Sequence, residues 1–138
     1  MSNYVFKKSC ILLMFVLSIL VCYNLSLAET AKDEFNQAVS LFSNGNYKEA
    51  KESFVQLSSK YPGDERFSIF EFMLAKCDFY LGDYVNAESE FKNFISEFTQ
   101  SSYLASAHFM LGNIAYLKGD KLQSAGEYIK SYNHTEDS

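Results

Sequence analysis

The stretch GDYVNAESEF, residues Gly82–Phe91, decides the fold because related versions of it occur three times in the chain. GNYKEAKESF at Gly45–Phe54 precedes it and GDKLQSAGEY at Gly119–Tyr128 follows it, so the three opening glycines stand 37 residues apart. Each copy begins with Gly and a polar residue and ends on an aromatic ring. A fixed period of about 20 to 50 residues is typical of stacked supersecondary units. The sequence therefore predicts a repeat array.

The residues upstream of each glycine follow the same period and have the spacing of a helix. Three columns hold an aromatic, a small and an aromatic residue: Phe35, Phe72 and Phe109; Ala38, Ala75 and Gly112; Phe42, Phe79 and Tyr116. Because steps of three and four residues place side chains on one face of an α-helix, each copy should open with a helix. We expect the small residues to mark close contacts with another helix.

The glycine of each copy is expected to end this first helix, since glycine tolerates the left-handed backbone of a helix C-cap. The next residue can cap a second helix, and Asn46 with Glu49 and Asp120 with Gln123 have capping-box spacing. The second helices carry small residues four positions before large ones: Ala50, Ala87 and Ser124 before Phe54, Phe91 and Tyr128. The pattern predicts an all-α fold of three tandem helical hairpins.

The predicted hairpins cover about residues 31–64, 68–101 and 105–134 within a domain at 29–134, and residues 135–138 should form a disordered tail. Glycine (6) and proline (1) are scarce, so no linker is expected to divide the array.

The first 28 residues have the composition of a secretory signal peptide. Lys7 and Lys8 precede the apolar run Cys10–Tyr23, and small residues Ser26 and Ala28 follow at cleavage positions. The run is shorter than the roughly 20 residues that a spanning helix needs. We therefore expect cleavage after Ala28 and export, with the periplasm of a Gram-negative bacterium as the expected location.

Two alternatives to cleavage stay open. The apolar run could remain as an uncleaved anchor in the inner membrane. Cys22 could instead carry a lipid, although Val21 stands before it where a lipoprotein signal has Gly, Ala or Ser.

Charge and cysteine content exclude further classes of protein. The chain has 12 basic and 17 acidic residues, and removal of two lysines with the signal peptide leaves a net charge of −7. Nucleic acid is not an expected partner, because phosphate binding needs clustered basic residues. Cleavage also leaves Cys77 alone, so packing rather than a disulfide must hold the fold.

The second and third copies, LGDYVNAESEF and HFMLGNIAYLKGDKLQSAGEY, resemble the tetratricopeptide repeat. That family places Leu-Gly in its first helix, Gly-Asp-Tyr at the turn, and Ala followed by an aromatic residue in its second. The resemblance covers about residues 31–134. Secreted bacterial members with phrases similar to GDYVNAESEFKNFISEF include the Tol-Pal system coordinator and the outer-membrane barrel-assembly lipoprotein. This chain differs in lacking a coiled coil before the repeats and in having fewer repeats than the latter.

The resemblance implies an α-solenoid that binds proteins or peptides of the cell envelope as a non-catalytic scaffold. An accessory or adaptor subunit of an envelope enzyme or secretion complex is the alternative. In this family the first helices line a concave surface, which implies partner-binding positions at Phe35, Phe42, Phe72, Lys76, Phe79, Phe109, Asn113 and Tyr116. The other interpretation of these rings is that they only pack neighbouring helices together.

No combination of residues predicts catalysis, a metal site, a cofactor or a small-molecule substrate. Cys77 fits a buried small residue better than the nucleophile of a thiol enzyme. His108 and His134 have no companion at metal-ligand spacing and are expected to be ordinary surface or partly buried residues. The acidic pair Glu88 and Glu90 is expected to lie on a solvated face.

The last helix carries an apolar stripe of Leu122, Ala125, Ile129 and Tyr132, where repeat one has Lys48, Lys51, Val55 and Ser58. Terminal repeats normally present a polar outer face. We therefore predict that this stripe supports self-association, as a homo-oligomer, or docks a partner helix. Inward packing of Leu122 and Ile129 against Ile114 and Leu117 is the alternative.

Overall fold

The computed structural model describes residues 2–136, and all regular structure in that part of the chain is α-helical. The six helices are α1 (Ser2–Ser43), α2 (Tyr47–Lys60), α3 (Phe67–Tyr80), α4 (Tyr84–Glu97), α5 (Leu104–Leu117) and α6 (Lys121–Glu136). The chain divides into two compact units, the first ending at Asp33 and the second beginning at Glu34. The second unit contains the three hairpins, which confirms the predicted all-α repeat fold.

The first unit is the amino-terminal part of α1 and includes the predicted signal peptide at 1–28, whose residue 1 lies outside the described residues. Its large apolar side chains between Met14 and Tyr23 are exposed where the structure describes them. Over residues 2–136, no helix is long and apolar enough to cross a membrane. Cleavage after Ala28 stays a prediction.

The three repeat glycines make the same turn in each hairpin, as predicted. Gly45, Gly82 and Gly119 have φ of 82°, 83° and 83°, in the left-handed region that glycine adopts without strain. The next amide in each turn donates to a carbonyl five residues back, at 3.0, 2.9 and 2.9 Å. This bond closes a Schellman-type C-cap and turns the chain into the next helix.

The predicted N-caps are confirmed in the second and third hairpins. Asp83 accepts a hydrogen bond from the amide of Asn86 at 3.2 Å, and Asp120 accepts one from the amide of Gln123 at 2.9 Å. The predicted cap at Asn46 is wrong, because its side chain makes no capping hydrogen bond. The first turn of α2 therefore lacks the side-chain support that α4 and α6 have.

The core of the array lies where small residues of one helix meet rings of the next. The small-residue columns are all buried as predicted: Ala38, Ala75 and Gly112 in the first helices, and Ala50, Ala87 and Ser124 in the second. Phe54 and Phe91 are fully buried beside them. Helices that follow one another from α2 to α6 pack together in sequence order, so each hairpin rests on the next.

The carboxyl-terminal boundary differs from the prediction. Helix α6 continues to Glu136, two residues beyond the predicted end of the domain at 134. The predicted disordered tail at 135–138 is therefore helical at 135 and 136, while residues 137 and 138 lie outside the described residues.

Candidate functional site

An open groove of about 480 Å³ lies between α3 and α5, with two lining residues from α6. We call it the α3–α5 groove. It is lined by Phe72, Lys76, Tyr80, Tyr103, Ala105, Ser106, Phe109, Met110, Ser131 and Thr135. Large apolar surface with a few polar groups is typical of sites that bind other molecules.

Two phenylalanines contribute to the groove in different ways. Phe72 is only 4% exposed, and its ring centroid lies 5.7 Å from that of Phe91, 5.5 Å from Phe94 and 4.9 Å from Tyr103. It therefore supports the groove from below. Phe109 on the opposite side is half exposed and offers an accessible ring.

Lys76 is a half-buried cation in the wall of this groove. Its Nζ lies 4.8 Å from the ring centroid of Phe42 and 5.8 Å from that of Phe72. In the part of the chain that the structure describes, no carboxylate lies within ion-pair distance of it. Burial lowers the pKa of Lys76, because an ammonium that loses water without gaining an acidic partner is less stable in its charged form.

Three of the eight predicted partner-binding residues line the groove, namely Phe72, Lys76 and Phe109. The other five lie elsewhere: Phe35, Phe42, Phe79, Asn113 and Tyr116. The half-buried rings among them pack helices together, as in the contacts of Phe35 with Phe70 at 5.6 Å and Phe42 with Tyr80 at 5.4 Å. For these rings the packing interpretation is the better description.

Asn113 holds a neighbouring ring in place. Its Oδ1 accepts a hydrogen bond from the Tyr128 hydroxyl at 2.8 Å. The same tyrosine ring lies against Gly112, where an added Cβ would come within 2.5 Å of its Cε1 atom. The small-residue column thus admits the ring, and Asn113 fixes its hydroxyl.

Sequence reasoning missed several lining residues, chiefly Tyr80, Tyr103 and Met110. Tyr80 follows Lys76 and Phe72 at steps of four, which is a signal for one helix face. Phe79 also lies in a column with the repeat period, but its side chain packs toward α4, with 5.5 Å between its ring centroid and that of Tyr84.

Comparison with protein families agrees with this architecture. The model of the family YfiO, described as an outer membrane lipoprotein, matches residues 27–137. The chain belongs to this family. No curated protein matches the chain significantly. YfiO membership confirms the resemblance to tetratricopeptide-repeat proteins of the envelope, and it supports an envelope location.

In this YfiO-family chain, an acidic cluster joins the first two repeats. Lys51 of α2 donates to Asp78 of α3, which is 2% exposed. Asp78 Oδ2 and Glu90 Oε2 are both buried, and the two carboxyls can hydrogen-bond to each other only while one of them holds a proton. Burial and the neighbouring Asp78 carboxylate raise the pKa of Glu90 to about 7, although Lys51 offsets part of the effect.

The predicted solvated face is therefore wrong for Glu90, which is half-buried. Its neighbour Glu88 faces the next repeat, where it accepts from Lys118, just after the end of α5, and, at 2.6 Å, from Lys92 of its own helix. These two hydrogen bonds lower the pKa of Glu88. Both acidic residues lie at junctions between helices, which a pattern of adjacent charges does not reveal.

The two histidines are closer together than their separation in sequence indicates. His108 is buried and its Nδ1 lies 2.7 Å from Oε2 of Glu127, while its ring stacks on His134 at 5.3 Å between centroids. Burial alone would raise the pKa of Glu127, but hydrogen bonds from Lys130 and His108 lower it. The predicted surface or partly buried position is wrong for His108, which is buried and links α5 to α6.

Cys77 is fully buried, in agreement with the predicted small core residue. Burial, together with the nearby Asp78 carboxylate, raises the pKa of its thiol to about 12. A thiol in this environment is a poor nucleophile, since the thiolate is the reactive form. Among the described residues, no group of three or more His, Cys, Asp or Glu is placed to hold a metal ion.

The apolar stripe of α6 lies open to solvent. Leu122 is 86% exposed, Ile129 and Tyr132 are each 62% exposed, and Ala125 is also exposed. The alternative in which Leu122 and Ile129 turn inward against Ile114 and Leu117 is therefore wrong.

Proposed function

We propose that this protein is a non-catalytic scaffold of the bacterial cell envelope that holds a segment of a partner protein in the α3–α5 groove. The observation that carries the proposal is the half-buried ammonium of Lys76, which has no carboxylate within ion-pair distance among the described residues and lies beside accessible aromatic surface. A partner segment with an acidic group next to an apolar side chain complements both features. Other proteins or peptides of the envelope are thus the proposed partners.

Membership of an outer membrane lipoprotein family supports action in the envelope. We propose that the protein is exported and works on the periplasmic side. Lipid attachment at Cys22, which is exposed, is an alternative that the family description supports. Retention by an uncleaved signal segment is the third route to the same compartment.

The arrangement of the groove favours a peptide segment. Phe72, Lys76 and Tyr80 follow one another at steps of four along α3, so they form a continuous stripe on one helix face. Ser106 and Thr135 add hydroxyl groups at the other wall. An extended or helical segment can lie along such a stripe and place side chains on it at regular intervals.

A role as an accessory or adaptor subunit of an envelope enzyme or secretion complex is the second candidate function. It would use the same groove. The two differ in what accompanies the bound partner, since an adaptor should co-purify with an enzymatic or transport activity.

Site-specific photo-crosslinking in living cells tests the proposal. A photoreactive amino acid at Ser106, an exposed groove residue, is expected to give a discrete protein adduct. Lys76→Glu should abolish that adduct, because a carboxylate would repel the acidic group of the segment. Phe109→Ala should weaken it without unfolding the protein, since the ring is half exposed.

Ser59 is the matched control, because it is exposed on α2 and does not line the groove. Lys92→Glu changes the same charge on α4. If the probe at Ser59 gives the same adduct, or if Lys76→Glu leaves the adduct intact in a folded protein, the groove is not the binding site.

A further inference from the structure

The first two repeats show which positions a following repeat covers. The ring of Phe42 at the end of α1 contacts Tyr80 of α3 at 5.4 Å between centroids. Lys51 of α2 reaches Asp78 of the same α3. Ser58, about two turns further along α2, has a buried hydroxyl. The contacts of Phe42 and Lys51 show that these two positions face the next hairpin, and Ser58 lies seven residues after Lys51 on the same face of α2.

The corresponding positions of the third repeat lie 74 residues further on and are Tyr116, Ala125 and Tyr132. Tyr116 is 64% exposed, and the other two are also exposed. With Leu122 and Ile129 they form one apolar surface, which we call the end face. Tyr116, Ala125 and Tyr132 are thus exposed where Phe42, Lys51 and Ser58 are half-buried, whereas the columns of Leu122 and Ile129 are exposed in the inner repeats as well.

At the opposite end of the second unit, the exposed residues of the first helix are polar. Three columns of the first helices run Asn36, Met73, Met110; Ser40, Cys77, Ile114; and Ser43, Tyr80, Leu117. In α3 and α5 the first two columns are buried, whereas all three α1 residues are exposed and polar. A polar surface of this kind does not complement the end face, so head-to-tail stacking of two copies is disfavoured.

The end face has the pattern of a helix-packing seam. Leu122, Ala125, Ile129 and Tyr132 follow steps of three, four and three, which are the a and d positions of two heptads. Gly126 leaves open space beside the seam, with no atom within 4 Å of an added Cβ. Small residues near the middle allow a second helix to approach closely.

The area is close to that of a stable dimer. The exposed fractions of the four large side chains, Tyr116, Leu122, Ile129 and Tyr132, amount to about 400 to 700 Å² per copy, taking roughly 150 to 250 Å² for each. A standard protein interface buries about 800 Å² on each partner, including its polar rim. A second copy of the chain presents the same apolar seam and the same area.

We propose that two copies of this protein pair through their end faces across a two-fold axis, with α6 antiparallel to α6 of the other copy. In this isologous arrangement Leu122 of each copy lies against Tyr132 of the other, and Ala125 lies against Ile129. The closed pair hides both apolar seams and stops at two copies. The proposal goes beyond the groove and does not depend on it.

Sedimentation velocity of the exported protein over a range of concentrations tests the pairing. The wild type should be a dimer with a dissociation constant in about the micromolar range. Leu122→Lys and Ile129→Lys should each raise that constant at least about tenfold while the circular dichroism spectrum stays helical. Both side chains are mostly exposed, so neither change should unfold the protein.

Val85→Lys and Val55→Lys are the matched controls, since these exposed valines occupy the same columns as Leu122 and Ile129 in inner repeats. Both should remain dimers. Mixing Leu122→Lys with Tyr132→Glu should restore pairing, because one Lys then faces one Glu. Four results would each overturn the proposal. They are a monomeric wild type, a mass that grows beyond two copies, control variants that weaken the dimer as much as Leu122→Lys and Ile129→Lys, and a mixture that fails to pair. The crosslinking experiment at Ser106 tests the groove independently of the dimer. A negative result there would overturn partner binding in the groove and leave the dimer proposal unaffected.

Discussion

Replacing Glu90 by Gln is expected to stabilise the protein above neutral pH. The Glu90 carboxyl lies between α3 and α4 with Oε2 buried near the Asp78 carboxylate, to which it can hydrogen-bond only when one of the two is protonated. An amide cannot ionise and has nearly the same size. The substitution therefore removes the cost of a buried negative charge and leaves the packing almost unchanged.

The magnitude follows from the raised pKa. Glu90 titrates at about 7 in the folded chain, against 4.5 for an ordinary glutamate. Each pKa unit corresponds to about 1.4 kcal/mol, so the full effect is about 3 kcal/mol, and partial solvation reduces it to about 1 to 3 kcal/mol.

The sign of the pH dependence is fixed by proton uptake. Between the two pKa values the folded state holds a proton on Glu90 that the unfolded state has lost, so the free energy of unfolding falls as pH rises. The favourable contribution is complete below about pH 4.5 and is lost as the pH passes about 7. Asp78 and Glu71 on α3 act on Glu90 in the same direction, and Lys51 on α2 opposes them.

Urea unfolding followed by circular dichroism at about pH 5 and about pH 8 measures the effect. Glu90→Gln should exceed wild type at the higher pH and differ little at the lower one. Glu97→Gln, an exposed change on the same helix, should match wild type at both. A difference between Glu90→Gln and wild type that is equal at both pH values, or a less stable variant at the higher pH, refutes the reasoning.

Three further outcomes are expected. Intact-mass measurement of the exported protein should give a chain beginning at Glu29, and a diacylglycerol mass on Cys22 would contradict cleavage after residue 28. Gly112→Ala should lower the free energy of unfolding by about 1 to 3 kcal/mol, because the added Cβ would clash with the Tyr128 ring. Gly126→Ala, where the added Cβ meets open space, should raise it by a few tenths to about 1 kcal/mol. Equal melting temperatures for the two variants would show that the Tyr128 ring moves aside at no cost. Ala87→Leu should overpack a fully buried site by about 1 to 3 kcal/mol, and an unchanged denaturation midpoint would argue against that packing.

The helical hairpins could be predicted from the sequence because their determinants are local. A glycine at Gly82 needs only its own backbone conformation to end a helix, and Asp83 needs only an amide three residues away to begin the next. Periodic small residues such as Ala87 predicted burial for the same reason. Each of these signals repeats every 37 residues, so three weak patterns reinforce one another.

The groove and the polar clusters could be predicted only in part, since they depend on which helices meet. Phe72 and Phe109 share a column, yet one is 4% exposed and the other 51%, because Phe72 packs against three aromatic rings whereas Phe109 has one ring contact, with Tyr128, among the described residues. Asn46 makes no capping hydrogen bond, although its spacing to Glu49 is that of a capping box. Glu90 looked like a surface charge because its buried neighbour Asp78 is 12 residues away in sequence and on another helix.

The buried thiol of Cys77 makes the joint between the first two repeats observable by chemical labelling. A thiol reagent needs both access and the thiolate, and this side chain offers neither while α2, α3 and α4 stay packed. The labelling rate at Cys77 therefore reports how often that joint opens, and it converts into a local opening free energy. Oxidants of the envelope likewise reach this sulfur only during such openings. The folded repeat array therefore protects the Cys77 thiol from oxidation.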